Sequence, residues 1–259
     1  MLLRHLYLLR GSWPRLLELA YWPTVQMILW GFISRFFTDN AALAESWVGV
    51  VAGGLIGAVL LWDVLFRSHL GVSMGFLEEM WSRNLGQLFA SPLRPYEWVA
   101  ALLSISLVRT VIGILPAALL AIPLHRYSVF EMGLPLISFF FNLVVMGWAI
   151  GLAVSALILR HGLGAESLAW VAVFALTPLS GIYYPLSVLP DWVQPIALAL
   201  PSAHVFEGMR AVLIDGVFRL DHLAWAVGLN LLYLAIGAGI FLYAIHVARI
   251  RGQLLQIGE

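Results

Sequence analysis

The sequence predicts an all-α polytopic membrane protein: six transmembrane helices in a single domain over 1–259. To these it adds an N-terminal amphipathic interfacial helix at 1–18, a cytoplasmic helical loop at 67–96 and an outer re-entrant helical hairpin within 186–221, between spans five and six. Three observations predict that class. Hydrophobic residues make up 62% of the chain and charged residues only 11%, a composition outside the range of ordinary soluble domains. Six apolar stretches approach or exceed the ~20 residues that cross a ~30 Å hydrocarbon core as a helix. Arginines collect in every second connection, as the topology of a multi-pass protein requires.

At the N-terminus Leu2, Leu3, Leu6, Leu9, Trp13, Leu16 and Leu17 recur at roughly helical spacing, with Arg4, Arg10 and Arg15 among them. No uninterrupted apolar run leads to a small-residue cleavage site. The segment is therefore expected to be an interfacial helix bent at Pro14, its arginines near anionic headgroups, and not a removable signal. The spans follow at about 20–37, 46–66, 97–122, 131–159, 165–185 and 222–248. Met132–Leu159 and His222–Ala248 carry no formal charge, whereas in the first span only Leu19–Ser34 is free of it. Trp22, Trp30, Trp47, Trp62 and Trp98 lie near span ends, where an aromatic belt sits. Gly49, Gly53 and Gly57, and again Gly147 and Gly151, recur every four residues, a spacing that lets helix backbones approach closely. They suit packing within the chain, a dimer seam or a face along a path.

An even span count puts both termini on one side. With that side cytoplasmic, the inner segments hold Arg4, Arg10, Arg15, Arg67, Arg83, Arg94, Arg160, Arg249 and Arg251, nine in all. The outer segments hold four: Arg35, Arg126, Arg210 and Arg219. Nine against four places both termini in the cytoplasm.

Composition also removes whole classes of function. The formal net charge is zero, so nothing favours nucleic acid. There is no cysteine, hence no disulfide or thiolate site. All 14 basic residues are arginine, so a Walker phosphate loop, which needs its lysine on the nucleotide, cannot lie in this chain. The seven histidines are scattered over both predicted faces, without an HExxH pattern or an accompanying carboxylate cluster. The sequence therefore offers no metal site and no catalytic set. Two rivals stay open at this point. An ion-coupled carrier requires carboxylates deep within spans, and Asp63, placed shallow near a span end, is its one candidate. A polytopic enzyme acting on lipids requires polar groups converging at one membrane face.

Two segments stand apart from the spans. Ser180–Arg210, SGIYYPLSVLPDWVQPIALALPSAHVFEGMR, is punctuated by Pro185, Pro190, Pro195 and Pro201, and its apolar run Trp192–Leu200 rises only ~14 Å as a helix. It can dip into a membrane but not cross it. A re-entrant hairpin and a pair of surface helices both satisfy the pattern. On the opposite side, Gly75–Trp98, GFLEEMWSRNLGQLFASPLRPYEW, places Phe76, Met80, Leu85, Leu88 and Phe89 on short amphipathic helices. Asn84 is positioned to cap the second and Pro92 to end it. Glu78, Glu79 and Arg83 stand near i, i+4 spacing, an ordinary solvated ion-pair face.

Together these segments resemble the permease subunits of type-2 ATP-binding-cassette exporters, whose members export polysaccharides, drugs and other amphiphiles. In the outer segment the matching residues are Gly181, Pro185, Leu189, Pro190, Trp192, Pro201, His204, Glu207 and Arg210. In the cytoplasmic loop they are the acids Glu78 and Glu79, then Asn84, Leu85, Gln87, Leu88, Ser91, Pro92 and Leu93. Arg83 stands where those permeases usually have Gly, and Gly86 where they usually have Glu. The resemblance implies one permease domain in a bacterial inner membrane, working as a homodimer or with a related second permease. It implies separate ATPase subunits that bind ATP and magnesium, so this chain would hold no cofactor. It further implies that Glu78, Glu79, Arg83, Asn84 and Gln87 form a coupling helix that docks on the ATPase, with Arg4 and Arg10 of the interfacial helix beside it. Arg109 sits near the middle of the third span, where an ionised side chain costs several kcal/mol unless it faces protein or water. Asn142 and Asn230 are expected at its level, so the three form either a contact on a translocation path or a structural interhelical network.

Overall fold

The computed structural model describes residues 13–39 and 47–250. Arg4, Arg10 and most of the expected interfacial helix lie outside these residues. Nine α-helices are present among the described residues, with no strand: α1 (Trp13–Asp39), α2 (Trp47–Trp81), α3 (Leu85–Ala90), α4 (Pro95–His125), α5 (Leu134–His161), α6 (Leu168–Leu176), α7 (Gln194–Leu198), α8 (Pro201–Arg210) and α9 (Leu220–Ile250). Five segments are long and apolar enough to cross a membrane: Leu16–Asp39, Gly54–Trp81, Pro95–His125, Leu134–His161 and Leu220–Ile250.

Two expectations change. The second span does not stop near residue 66, and the stretch 67–81 is not a loop. α2 continues for 35 residues to Trp81, because its polar side chains find partners inside the bundle. The fifth span, expected as one helix over 165–185, is broken. A 3-10 turn at Leu163–Ala165, the nine-residue α6 and a second 3-10 turn at Thr177–Leu179 replace it. Pro178 has no amide hydrogen to continue the ladder, and Gly181 then turns the chain with φ +65°, a left-handed backbone that glycine adopts without a Cβ penalty.

α2 is the hub. Leu60, Leu61, Leu65, Val72 and Phe76 are buried along it, with α4 on one side and α5 on another. Apolar burial alone gives helices little reason to associate in lipid, so close approach and interhelical hydrogen bonds carry the packing. Gly71 lies against the Ser106 backbone, Gly147 against the backbone of Leu65 and His69, and Gly237 against Ala149. A Cβ at any of these positions would push helices apart. Gly147 and Gly151 thus pack on α2 within the chain. Ser106 Oγ donates to the Ser68 carbonyl at 2.7 Å, and Trp148 Nε1 donates to Ser106 Oγ at 3.3 Å, joining α2, α4 and α5. His69 Nε2 donates to the Ala169 carbonyl at 2.6 Å, fixing α6 to α2.

The contacts also set direction. Gly71 opposite Ser106 and Gly75 opposite Leu102 make α2 and α4 antiparallel. Asn142 meets Asn230, and Ala149 meets Gly237, so α5 and α9 run parallel. Phe76, Trp98 and Phe241 cluster at one end with the last turns of α5. The chain leaves α5 at that end and enters α9 at the other, so 162–219 carries it back along the bundle.

Candidate functional site

The loop end of α2 and the hairpin over 180–210 contain most of the residues singled out from the sequence. At the loop end, Leu85 and Leu88 of α3 are buried against a core that includes Phe76, Leu77, Met80 and Trp98. That amphipathic seating fixes α3 to the bundle. The two acids are not a solvated face. Glu79 is buried and accepts a hydrogen bond from Asn84 Nδ2 at 2.6 Å. Glu78 accepts from Arg109 Nη2 at 2.9 and 3.1 Å. Asn84 therefore spends its side chain on Glu79 and does not cap α3 through it. Exposed at this end are Trp81, Arg83 and Gln87, of which Trp81 was not expected from the sequence. Arg83 adopts φ +52°, a left-handed conformation that favours glycine. Physically, this is a position where Gly would be at ease.

Arg109 is buried midway along α4, and its partner corrects the expectation. It pairs with Glu78, while Asn142 and Asn230 pair with each other. Asn230 Nδ2 donates to Asn142 Oδ1 at 2.9 Å and to the Asn142 carbonyl at 3.0 Å, tying α9 to α5. Both asparagines are buried. Asp63, expected shallow, is buried at the middle of α2. These groups lie inside the four-helix contact of a single chain.

The hairpin is held by its own motif residues. Pro185 precedes a 3-10 turn at Leu186–Val188, and the Pro190 carbonyl accepts the amides of Val193 and Gln194. Pro201 starts α8, where its missing N–H would have no helical partner. From the far end of α8, Arg210 Nη1 donates to the Gly181 carbonyl at 2.7 Å and Nη2 to Glu207 Oε1 at 2.8 Å. The same Glu207 oxygen accepts the Leu186 amide at 2.8 Å. One ion pair therefore satisfies loop backbone on both sides of Pro185. Ser180 and Ser202 hydroxyls meet at 2.9 Å beneath it. His204 Nε2 donates to the Leu198 carbonyl at 2.9 Å, and its Nδ1 faces His222 Nδ1 at 3.3 Å. Tyr233 donates to the Ala199 carbonyl at 2.9 Å. The clamp is built from irregular backbone whose polar groups are satisfied by protein. α7 has five residues and α8 ten, so neither can span.

With both ends of the bundle described, the comparison with known families is decisive. A family model described as ABC-2 type transporter matches residues 10–214. The chain belongs to the ABC-2 type transporter family. The match covers the loop between α2 and α4 and the hairpin together. No curated protein matches the chain. An ABC-2 chain of this kind is the transmembrane subunit of an ABC transporter and a multi-pass membrane protein, and its domain is a transporter permease.

Sequence reasoning missed Ser180, Ser202, His222, Trp225 and Tyr233, whose partners are far along the chain. Ser180 precedes the motif glycine directly, the one local hint available. His222 had none, because its partner lies 18 residues away across a turn.

Proposed function

We propose that this chain is the membrane-spanning half of an exporter driven by separate ATPase subunits, with both termini in the cytoplasm of a bacterial inner membrane. The continuity of α2 carries this reading. α2 has 35 residues and so measures ~52 Å, longer than the hydrocarbon core is thick. At its cytoplasmic end it is joined to α3 through Glu79 and Asn84. Near its other end Gly54 lies against Leu213, just beyond α8. A push on α3 reaches the outer hairpin through one rigid element.

In this reading the ATPase docks on Trp81, Arg83 and Gln87, with Glu78 and Glu79 stiffening the platform from within. The 163–185 segment, returning the chain between the parallel α5 and α9, completes a sixth crossing with the hairpin re-entrant on the outer side. One bundle of this size has its polar groups turned inward, so the path forms against a second copy or a related permease, with the hairpins at its outer mouth. The chain performs no bond chemistry; ATP and magnesium belong to the partner, since no lysine is available here for a phosphate loop.

The test is reconstitution with a Walker-motif ATPase that copurifies with the chain. ATP-dependent accumulation of an amphiphilic or glycolipid probe is expected only when both subunits are present. Uphill transport by this subunit alone, driven by ATP or by a proton gradient, would overturn the assignment.

A further inference from the structure

His204 and His222 meet where the hairpin rests on the last helix. His204 is buried on α8, and His222 is half-buried in the first turn of α9. The hydrogen bonds settle the tautomers. Leu198 offers only a carbonyl, so His204 Nε2 carries the proton at that 2.9 Å contact. In the neutral ring Nδ1 is then a lone-pair acceptor. The 3.3 Å contact to His222 Nδ1 is a hydrogen bond only if His222 donates from Nδ1. Trp225 stacks on the His204 ring with planes 13° apart, which holds the ring in register.

We propose that this pair is a proton-operated clasp between the outer hairpin and α9, closed with no added proton or with one, and opened by the second. In the singly protonated pair the added proton sits on His222 Nε2, the nitrogen outside the contact. His222 still donates from Nδ1, now as a charged donor, so the bond is strengthened. The second proton has only His204 Nδ1 to occupy. Two N–H groups then face one another on two cations, and the link is lost. Each state is balanced by protons from the outer solution alone, and no other reactant is needed.

Surrounding groups decide how far the second step is displaced. Burial pulls the His204 imidazole below its ordinary range and the facing His222 acts the same way, while the Leu198 carbonyl and the carboxylates of Asp221 and Glu207 oppose it. Glu207 is already tied to Arg210. α5 carries no charged side chain between Leu134 and Leu159, and α2 none from Gly54 to Trp62. The clasp therefore holds through mildly acidic pH and opens only at lower pH, as a coupled pair titrating in two steps. Its consequence for transport rests on the hairpin being the outer gate; its chemistry does not.

The absence of cysteine makes the test direct. Spin labels on W192C and L220C, both at exposed positions, report hairpin-to-α9 distance in nanodiscs diluted with unlabelled chain. The distance should be unchanged from pH 8 to neutrality, with a longer population growing only once the pH falls below the ordinary imidazole range. H204Q and H222Q, whose amides donate or accept at need, should each keep the short distance at every pH. A wild-type distance constant down to pH 4.5, or a glutamine variant that opens like wild type, would overturn the clasp. No transport enters this measurement, so its outcome is independent of the gate assignment: pH-dependent opening that leaves a separate transport assay unchanged would overturn the gate and not the clasp.

Discussion

The Glu78–Arg109 pair offers the most quantitative test of how the α2–α3 end of the bundle is built. The Arg109 side chain is 9% exposed and that of Glu78 29%. Removing one partner of a fully buried pair costs about 3–5 kcal/mol, because the remaining charge is stranded. The exposure of Glu78 lets water share its charge, so the two single variants should differ. Glu78→Gln strands the buried guanidinium and should cost about 2–3 kcal/mol; Arg109→Gln leaves a carboxylate that water can reach and should cost about 1–2. At ~2–4 °C per kcal/mol for a chain of this size, Glu78→Gln lowers the thermal midpoint by roughly 4–12 °C and Arg109→Gln by about half that. The double variant should lose less than the sum, with a coupling of about 1.5–2.5 kcal/mol. Fluorescence-detected size exclusion after heating, in one detergent for all four proteins, reads these midpoints. Single losses that add to the double within ~0.5 kcal/mol would show that the two charges do not interact, and the platform argument would fall with them.

Trp81→Ala, Arg83→Glu and Gln87→Ala remove exposed side chains, so ATP-dependent transport should fall at least tenfold with the thermal midpoint shifted by under 2 °C; equal losses in both would place these residues in the fold instead. Charge reversal of Glu78 and Glu79 together should deplete folded protein, because it sets two lysines against Arg109 and a buried site, and expression by size exclusion checks this. Glu207→Ala frees the Leu186 amide and Arg210 at once and should cost about 3–4 kcal/mol, whereas Glu207→Gln keeps one acceptor and should cost roughly half that; equal midpoints for the two would contradict the shared-oxygen clamp. Burial, aided by Glu131, pushes the Tyr127 phenol up to about 12, so folding favours its neutral form. That contribution is intact below pH 10 and is lost as pH rises towards 12; the extra alkaline instability should vanish in Tyr127→Phe.

Three spans were legible almost to the residue. The charge-free runs Met132–Leu159 and His222–Ala248 became α5 and α9, and 97–122, interrupted only by Arg109 after Glu97, became α4, since long apolar sequence admits one answer in a bilayer. α2 was cut short in the sequence reading because Arg67, Glu78 and Glu79 look like the end of a span. Only the long-range partner on α4 shows that Glu78 belongs to a continuing helix. The broken fifth span had local signals, Pro178 and Gly181, but its hydropathy outweighed them. For the site, motif spacing identified Gly181, Glu207 and Arg210 without revealing that one carboxylate oxygen serves both a backbone amide and the guanidinium. Contacts 29 or 31 residues apart leave no periodic trace in a single sequence.

The polar groups along α2 limit how the bundle can move. An apolar pair in place of Glu78 and Arg109 would be about as stable, so stability alone does not account for the charges. What they add is register. Sliding α2 by one turn against α4 would separate Glu78 from Arg109 and the Ser68 carbonyl from Ser106, and would carry His69 away from Ala169, each loss leaving a buried polar group unsatisfied. The Asn142–Asn230 contact pins α9 to α5 in the same way. Internal shear is therefore the expensive motion, and force applied at α3 moves α2, α4, α5 and α9 as one body. Glycines with left-handed backbone flank the hairpin, Gly181 at φ +65°, its carbonyl held by Arg210, and Gly216 at φ +67°. Under the proposed function, opening consists of the hairpin turning about those two points, or of the whole bundle tilting against a second permease, and not of helices slipping past one another within the chain.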